Sequence, residues 1–235
     1  MRMTSLRKPL QLLSVPSNAK NAIVAFSSSS LSHEELNKIN LLLPRLCLSD
    51  HLSTAIQLTT TALLTNPPPN SLSLSILTHS LASQPDMTLP MSLLTRLLRT
   101  PHSHRHLAPI ATTLAASYFK MGKPKEALKV FKWMVRPGSP FKLDEKVCGV
   151  LVKGFCRNAM VVEALKVLKA MAAANVAPSG GLKMVVCRGL LKEARIREAV
   201  ELNGALDRVG DGDGDEGLNK KLLEVLDRII ENWME

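Results

Sequence analysis

The sequence has very few aromatic residues, and this scarcity argues against a β-rich fold. Phe, Trp and Tyr together make up 3% of the 235 residues, whereas the hydrophobic share as a whole is 46%. Strands are enriched in aromatic and β-branched side chains, while Leu, Ala and Lys are good helix formers. The composition therefore favours an all-α protein.

The chain also lacks the patterns that mark membrane proteins, disulfide-bonded domains and the common enzyme classes. No run of 18 apolar residues without a charge occurs, so no membrane span is predicted. The four cysteines show no CxxC spacing, and we interpret them as small buried residues in a reducing compartment. GxSxG, HExxH and phosphate-loop motifs are absent. The sequence thus predicts no enzyme activity, no cofactor and no small-molecule substrate.

Two segments imitate metal sites without fitting one. The segment 101–109, PHSHRHLAP, holds three alternating histidines, which we interpret as exposed polar residues of an inter-helix loop. The segment 211–217, DGDGDEG, imitates the start of a calcium loop. Glu216 and Leu222 stand where such a loop needs Gly and Glu, however. No metal site is predicted.

Acidic residues are missing from the first 33 positions, which contain four basic residues and many serines. This composition is typical of an organellar transit peptide. Three leucines, at positions 6, 10 and 13, share one helical face, which favours mitochondria, with a plastid as the alternative. A basic N-terminus without any targeting role is the other interpretation. We exclude residues 1–33 from the predicted fold.

Charge is unevenly distributed along the chain. The net charge is +10, but residues 207–235 carry nine acidic and four basic residues, so residues 1–206 have a net charge of +15. A basic body with an acidic tail suggests a polyanionic partner, nucleic acid above all. Ordinary solvated helix faces rich in Lys are the alternative.

A near-duplicated stretch organises the second half of the sequence. Residues 126–134 read EALKVFKWM and residues 163–171 read EALKVLKAM, with seven of nine positions identical at a spacing of 37 residues. A weaker copy, REAVELNGAL, begins at Arg197. Self-similarity at this period is typical of stacked two-helix repeats. Because one helical hairpin cannot bury its apolar stripes alone, the pattern predicts an α-solenoid of stacked helix-turn-helix repeats.

The repeat register divides the chain into segments. Residues 34–206 hold about five hairpins, of which the first two and the last are degenerate, and the units are 36–70, 71–107, 108–144, 145–179 and 180–214. In the fourth unit we predict helices near 147–157 and 162–174. Gly122 and Pro124 predict a helix end and a helix start in the third unit. Residues 207–217 form an acidic Gly/Asp linker, and residues 218–235 a C-terminal capping helix.

The third and fourth units resemble pentatricopeptide repeats (PPR) of the plain, P-type class found in plant-like organellar proteins. The fourth unit carries Leu151, Gly154 and Cys156 at the end of its first helix, then Glu163-Ala164-Leu165, Met171 and Pro178. The third carries Tyr118, Gly122, Glu126-Ala127-Leu128, Met134 and Asp144. With the weaker units, the resemblance covers about residues 36–214.

The resemblance implies binding of single-stranded organellar RNA along the first helix of each repeat, for RNA stability, processing or translation. In the family, the fifth and last residues of a repeat contact one base. By register the fifth positions are Asn40, Ser75, Thr112, Gly149 and Met184, and the last positions are Asn70, Leu107, Asp144, Ser179 and Gly214. Thr112 with Asp144 is similar to a purine-type pair, and Asn40 with Asn70 to a pyrimidine-type pair. Gly149 and Met184 depart from the family's usual pairs.

Basic side chains on the first helices are candidates to hold RNA phosphates. They are Lys120, Lys146, Lys153, Arg157, Lys183, Arg188 and Lys192. The rival hypothesis is a scaffold that binds a helix or peptide, as an adaptor within a mitochondrial ribonucleoprotein. The departures at Gly149 and Met184 favour this rival.

Overall fold

In a computed structural model, the chain is described over residues 31–65, 72–210 and 216–233. Most of the predicted leader, Asn70 and the linker residues 211–215, Gly214 among them, lie outside these ranges. The described residues form eleven α-helices and one short 3-10 turn at Pro101–Ser103, and contain no strand. The predicted all-α fold is confirmed. No helix in the described ranges is both long and apolar enough to span a membrane.

The helices follow one another as antiparallel pairs and a final single helix. Their bounds are α1 His33–Leu48, α2 Leu52–Leu63, α3 Ser75–Ser83, α4 Thr88–Leu98, α5 His104–Lys120, α6 Pro124–Met134, α7 Glu145–Arg157, α8 Val161–Ala173, α9 Gly180–Lys192, α10 Ile196–Gly210 and α11 Glu216–Glu231. We call α1, α3, α5, α7 and α9 the A helices, and α2, α4, α6, α8 and α10 the B helices. Positions within a unit are counted from residues 36, 71, 108, 145 and 180.

The bounds in the fourth unit agree with the prediction within two residues. In the third, Gly122 follows the end of α5 with a φ of 67°, and Pro124 opens α6, as predicted. The start of α5 differs, however. Because α5 begins at His104, the 107/108 boundary and the histidine segment predicted as a loop lie partly inside this helix. Pro109 sits within α5, where its missing N–H removes one hydrogen bond to the Arg105 carbonyl.

The A helices form a continuous row. Each A helix packs against the next one along the chain, from α1 to α9. Among the B helices, only α2 and α4 make comparable contact with each other. The described part of the chain is therefore a solenoid whose A helices lie closer together than its B helices.

Small residues allow the close crossing of neighbouring A helices. Gly154 of α7 faces the Phe119 ring of α5 so closely that a Cβ at this position would overlap the ring. One unit later, a Cβ added at Gly189 of α9 would lie 3.4 Å from the Cys156 sulfur of α7. Phe119 and Cys156 both stand at position 12, and the two glycines both stand at position 10. The same pair of positions thus makes the same contact in successive units.

The C-terminal helix α11 packs on the side of the B helices. Its main contacts are with α8 and α10, whose own mutual contact is slight. Leu222, Leu226 and Ile229 are buried there. Lys169 of α8 forms an ion pair with Asp227, and Glu201 of α10 with Arg228. The helix thus fills the space between two separated B helices.

A residue with positive φ closes the A helix at position 15 in four of the five units. These residues are Asp50, Gly122, Ala159 and Ala194, with φ between 55° and 67°. The next N–H then donates to the carbonyl five residues earlier, as from Met160 to Phe155 at 3.0 Å. This arrangement satisfies carbonyls at the helix end and fixes the reversal into the B helix.

The second unit cannot use this turn, because position 15 is Pro85, whose ring fixes φ near −65°. A side chain from the next unit satisfies the helix end instead. The Lys123 ammonium donates to the carbonyls of Ala82 at 2.9 Å, Ser83 at 3.2 Å and Gln84 at 2.8 Å. The positive charge also interacts favourably with the C-terminal end of the α3 dipole.

Lys123→Met should lower the free energy of unfolding by about 2 kcal/mol, because three carbonyls lose a charged donor. Urea denaturation followed by circular dichroism measures the change. Lys125→Met is the matched control, since Lys125 is exposed on α6 and makes no hydrogen bond or ion pair with any described residue. Equal stability of the two variants would show that the contact contributes nothing.

Candidate nucleic-acid interface

Basic side chains line the exposed stripe of α7. Lys146, Lys153 and Arg157 are all exposed, and their spacing places them on one side of the helix. The other side holds buried apolar residues such as Leu151 and Phe155. We call the exposed stripes of the A helices together the A-face.

Equivalent positions on neighbouring A helices repeat this charge. Position 13 is Lys120 on α5, Arg157 on α7 and Lys192 on α9, and all three are exposed. Position 9 is Lys153 on α7 and Arg188 on α9, again both exposed. Because α5, α7 and α9 pack side by side, these residues form two short rows of cations that run across the helices.

Six of the seven predicted phosphate-binding residues belong to this surface and have no ion-pair partner among the described residues. They are Lys120, Lys146, Lys153, Arg157, Arg188 and Lys192. Several other cations are neutralised. Ion pairs join Glu163 to Lys166 on α8, at 3.8 Å, and α11 to α8 and α10. The A-face of α5, α7 and α9 therefore keeps its positive charge.

Lys183 differs from the other predicted cations. Its ammonium pairs with the Asp207 carboxylate of α10, and only 16% of its side chain is exposed. It lies at position 4, next to the B helix of its own unit. The structure therefore places Lys183 in a contact within the fifth unit and not on the A-face.

Arg105 is a basic residue of the A-face that the sequence did not single out. It lies exposed in the first turn of α5, on the same stripe as Thr112 and Lys120. Its Nε donates to the His106 ring at 3.0 Å. The repeat register hid it, because the predicted unit starts at residue 108.

The two residues of the predicted purine-type pair both make hydrogen bonds within the protein. The Thr112 hydroxyl donates to the Ala108 carbonyl at 2.7 Å. Asp144 is the N-cap of α7, and its Oδ1 accepts from the Val147 N–H at 2.7 Å. The residue is exposed, and Oδ2 has no partner in the described part of the chain. One carboxylate oxygen therefore stays available to a ligand.

The remaining base-reading positions offer less. The Asn40 amide oxygen accepts from the Ser73 N–H at 3.0 Å and so ties α1 to the start of the second unit. Asn70, its predicted partner, lies outside the described residues. Ser75 is exposed in the first turn of α3, and Ser179 is the exposed N-cap residue of α9 without a side-chain capping bond.

Gly149, the fifth residue of the fourth unit, leaves open space on the A-face. A Cβ built there would meet no atom within 4 Å. The glycine is therefore not required by packing, in contrast to Gly154 on the same helix. Its position gives a base room to approach the α7 backbone but supplies no side-chain donor or acceptor.

The cysteines are placed for packing. Cys47, Cys148 and Cys187 are buried and Cys156 is half-buried, all as free thiols. Burial raises the pKa of Cys148 to about 12, and burial raises the pKa of Cys156 to about 11 despite the nearby Lys192. These two thiols stay protonated near neutral pH and are poor nucleophiles and metal ligands there. Among the described residues, no group of three His, Cys, Asp or Glu side chains could hold a metal ion.

Comparison with known proteins gives one family. A family model described as PPR repeat matches residues 110–138 and 147–176, about a quarter of the chain. The first match runs from α5 past α6, and the second from α7 past α8, so each spans one helix pair. No curated protein matches. The resemblance seen in the sequence is confirmed for these two units, so the chain is a helical-repeat solenoid that contains two PPR repeats in its centre.

Proposed function

We propose that this protein binds single-stranded RNA along the A-face, without catalysis. The observation that carries the proposal is the row of cations at position 13, which have no ion-pair partner among the described residues. They are Lys120, Arg157 and Lys192, with Lys153 and Arg188 beside them. Cations repeated once per stacked helix can each hold a successive phosphate of an extended strand. The match to PPR repeats supports this use of the surface, since PPR proteins typically bind RNA.

Base selection should be limited in this protein. Asn40, Thr112 and Asp144 use hydrogen-bonding capacity within the fold, and Gly149 has no side chain to offer. Phosphate contacts therefore supply most of the affinity, and Asp144 Oδ2 with Ser179 supplies what discrimination there is. A site of about five nucleotides, one for each unit, is too short for unique recognition, so a partner protein has to add specificity.

The proposed location is an organelle, the mitochondrion in the first place and a plastid as the alternative. The acid-free, serine-rich leader supports this location, since that composition is typical of a transit peptide. The RNA would then be an organellar transcript, bound for its stability, processing or translation.

A scaffold within a ribonucleoprotein is the second candidate function. The internal hydrogen bonds of Asn40, Thr112 and Asp144 favour it, because they reduce what the A-face can read. In that case the solenoid would bind a helix or peptide of another protein, and its cations would serve solubility.

RNA binding should weaken steeply with salt. If four to six phosphates are contacted, the logarithm of the association constant should fall against that of salt with a slope of about −3 to −4. Fluorescence anisotropy with the full chain and a mixed pool of single-stranded RNA measures this slope. Absence of binding even at low salt would leave the scaffold as the function.

The triple variant Lys120→Ala, Arg157→Ala and Lys192→Ala should reduce that slope by about 2, since each lost contact changes it by about 0.7. A matched control removes three exposed cations from the B helix α6, with Lys125→Ala, Lys129→Ala and Lys132→Ala. Equal losses from both triples would mean that the protein attracts RNA by net charge alone.

Asp144 has to be tested in a way that separates its two roles. Asp144→Ala should lower the free energy of unfolding by about 1 kcal/mol, because α7 loses its N-cap. Asp144→Asn keeps a capping oxygen and should preserve stability, while the new amide donor should change the preferred base at one RNA position. Binding selection from a random RNA pool reads that preference. An unchanged preference in Asp144→Asn would remove Asp144 from the base-reading residues.

The location is tested in plant cells with the full chain fused at its C-terminus to a fluorescent protein. The fusion should co-localise with mitochondria, and removal of residues 1–30 should leave it in the cytosol, because the basic leader carries the address. Accumulation in plastids would support the alternative organelle. A cytosolic full-length fusion would contradict both locations.

A further inference from the structure

The C-terminal end of the stack presents an uncovered apolar surface. Leu191 of α9 is 52% exposed, and Ile196 and Val200 of α10 are 61% and 69% exposed. We call these three residues the end face. Terminal units of helical-repeat proteins usually carry a polar outer surface, because no further unit covers them.

The residues at positions 17 and 21 are buried in the first and fourth units and half-buried in the second and third. Position 17, where Ile196 stands, is Leu52 at 2% and Val161 at 3% exposure. Position 21, where Val200 stands, is Ile56 at 2% and Leu165 at 0%. The end face therefore continues the stacking surface by which each unit contacts the next one.

The fourth unit shows what such a surface binds. Cys156 at position 12 and Val161 at position 17 both contact Gly189 of α9, where a Cβ would lie 3.4 and 3.3 Å from their side chains. Leu191 and Ile196 are the corresponding two residues of the fifth unit. By this equivalence, the end face fits an α-helix with a glycine or a similarly small residue where it contacts Leu191 and Ile196.

The described part of this chain does not supply that helix. The final helix α11 packs on α8 and α10 and leaves the end face exposed. A second copy offers its own first helix poorly. α1 has an apolar residue, Leu42, at the position of Val186 in α9. At position 10, however, it has Arg45 in place of Gly189, and at position 3 it has Lys38 in place of the buried Leu182.

We propose that the end face binds a partner protein through the first helix of a helical hairpin, which extends the stack by one or more units. The partner helix presents a small residue at the crossing and apolar residues one turn away on the same side. This proposal does not depend on RNA binding by the A-face, because the end face contains none of the cations assigned to it. A partner of this kind would lengthen the RNA-binding surface if the A-face does bind RNA.

A stapled, fluorescently labelled helical peptide with the α9 sequence, residues 179–193, is the probe, because α9 occupies the equivalent surface of the fourth unit. The peptide should bind the full chain with one-to-one saturation in fluorescence anisotropy. Leu191→Glu with Ile196→Glu should weaken binding at least tenfold, since two charges enter the apolar contact. Gly189→Leu in the peptide should weaken it to a similar degree.

Val135→Glu is the control variant in the full chain, since Val135 is also an exposed apolar residue but lies just after α6. It should leave peptide binding unchanged. Circular dichroism checks that all variants keep the wild-type melting temperature, as expected for exposed positions. No peptide binding up to about 1 mM, or equal binding to the wild type and the Leu191→Glu, Ile196→Glu variant, would overturn the proposal.

Light scattering after size-exclusion chromatography tests whether a second copy of the chain covers the end face instead. The full chain should be monomeric at concentrations of tens of micromolar. A dimer that Leu191→Glu with Ile196→Glu converts to monomers would overturn the proposal, because a second copy would then cover the end face.

Discussion

The packing of each A helix on the next depends on a small side chain at position 10. Gly154 lies against the Phe119 ring and Gly189 against Cys156, with no room or very little room for a Cβ. The Phe119 ring in turn meets Phe155 edge to face, with centroids 5.0 Å apart. These contacts bring the A helices together in one row, while the B helices α8 and α10 are separated enough for α11 to lie against both.

Both proposed binding surfaces follow from this packing. A row of closely packed A helices repeats the exposed residue of each unit at regular intervals, and this repetition turns Lys120, Arg157 and Lys192 into a row of cations. In the third and fourth units the residue at position 12 packs against position 10 of the next A helix. Leu191 stands at position 12 of the last unit, so no such helix covers it. The packing between A helices thus produces both surfaces. The basic A-face runs along the row of A helices, and the apolar end face lies where the row ends at α9.

Much of the fold could be predicted from the sequence because its determinants are local and repeated. The duplicated EALKV stretches predict the B helices α6 and α8, and Gly122 with Pro124 predicts the turn between α5 and α6. The bond from Lys123 to the end of α3 could not be predicted, since the partners are about 40 residues apart. It arises only because Pro85 blocks the turn used elsewhere and stacking brings the next unit's turn alongside.

The candidate site was predictable to a similar extent, for similar reasons. The repeat register assigned the seven candidate cations to the first helices of the repeats, and six of them are exposed on the A-face. Lys183 was misplaced because its partner, Asp207, comes from another helix, 24 residues later. Asp144 and Asn40 carry the residue types that the family's base-reading positions call for, yet both also hold the fold together. Sequence shows the type of a side chain at a position, but not how many of its hydrogen bonds the protein already uses.

The distribution of ion pairs gives the electrostatic asymmetry a structural cause. The C-terminal part of the chain is acidic, and two of its described carboxylates form ion pairs with cations of other helices. Asp207 neutralises Lys183, and Asp227 neutralises Lys169. Neither contact involves position 13 of the A-face, whose three cations have no ion-pair partner among the described residues. Since a polyanion is steered by the difference in potential between surfaces, acidic residues on the B helix α10 and on α11 favour approach of a polyanion, such as the proposed RNA, to the A-face.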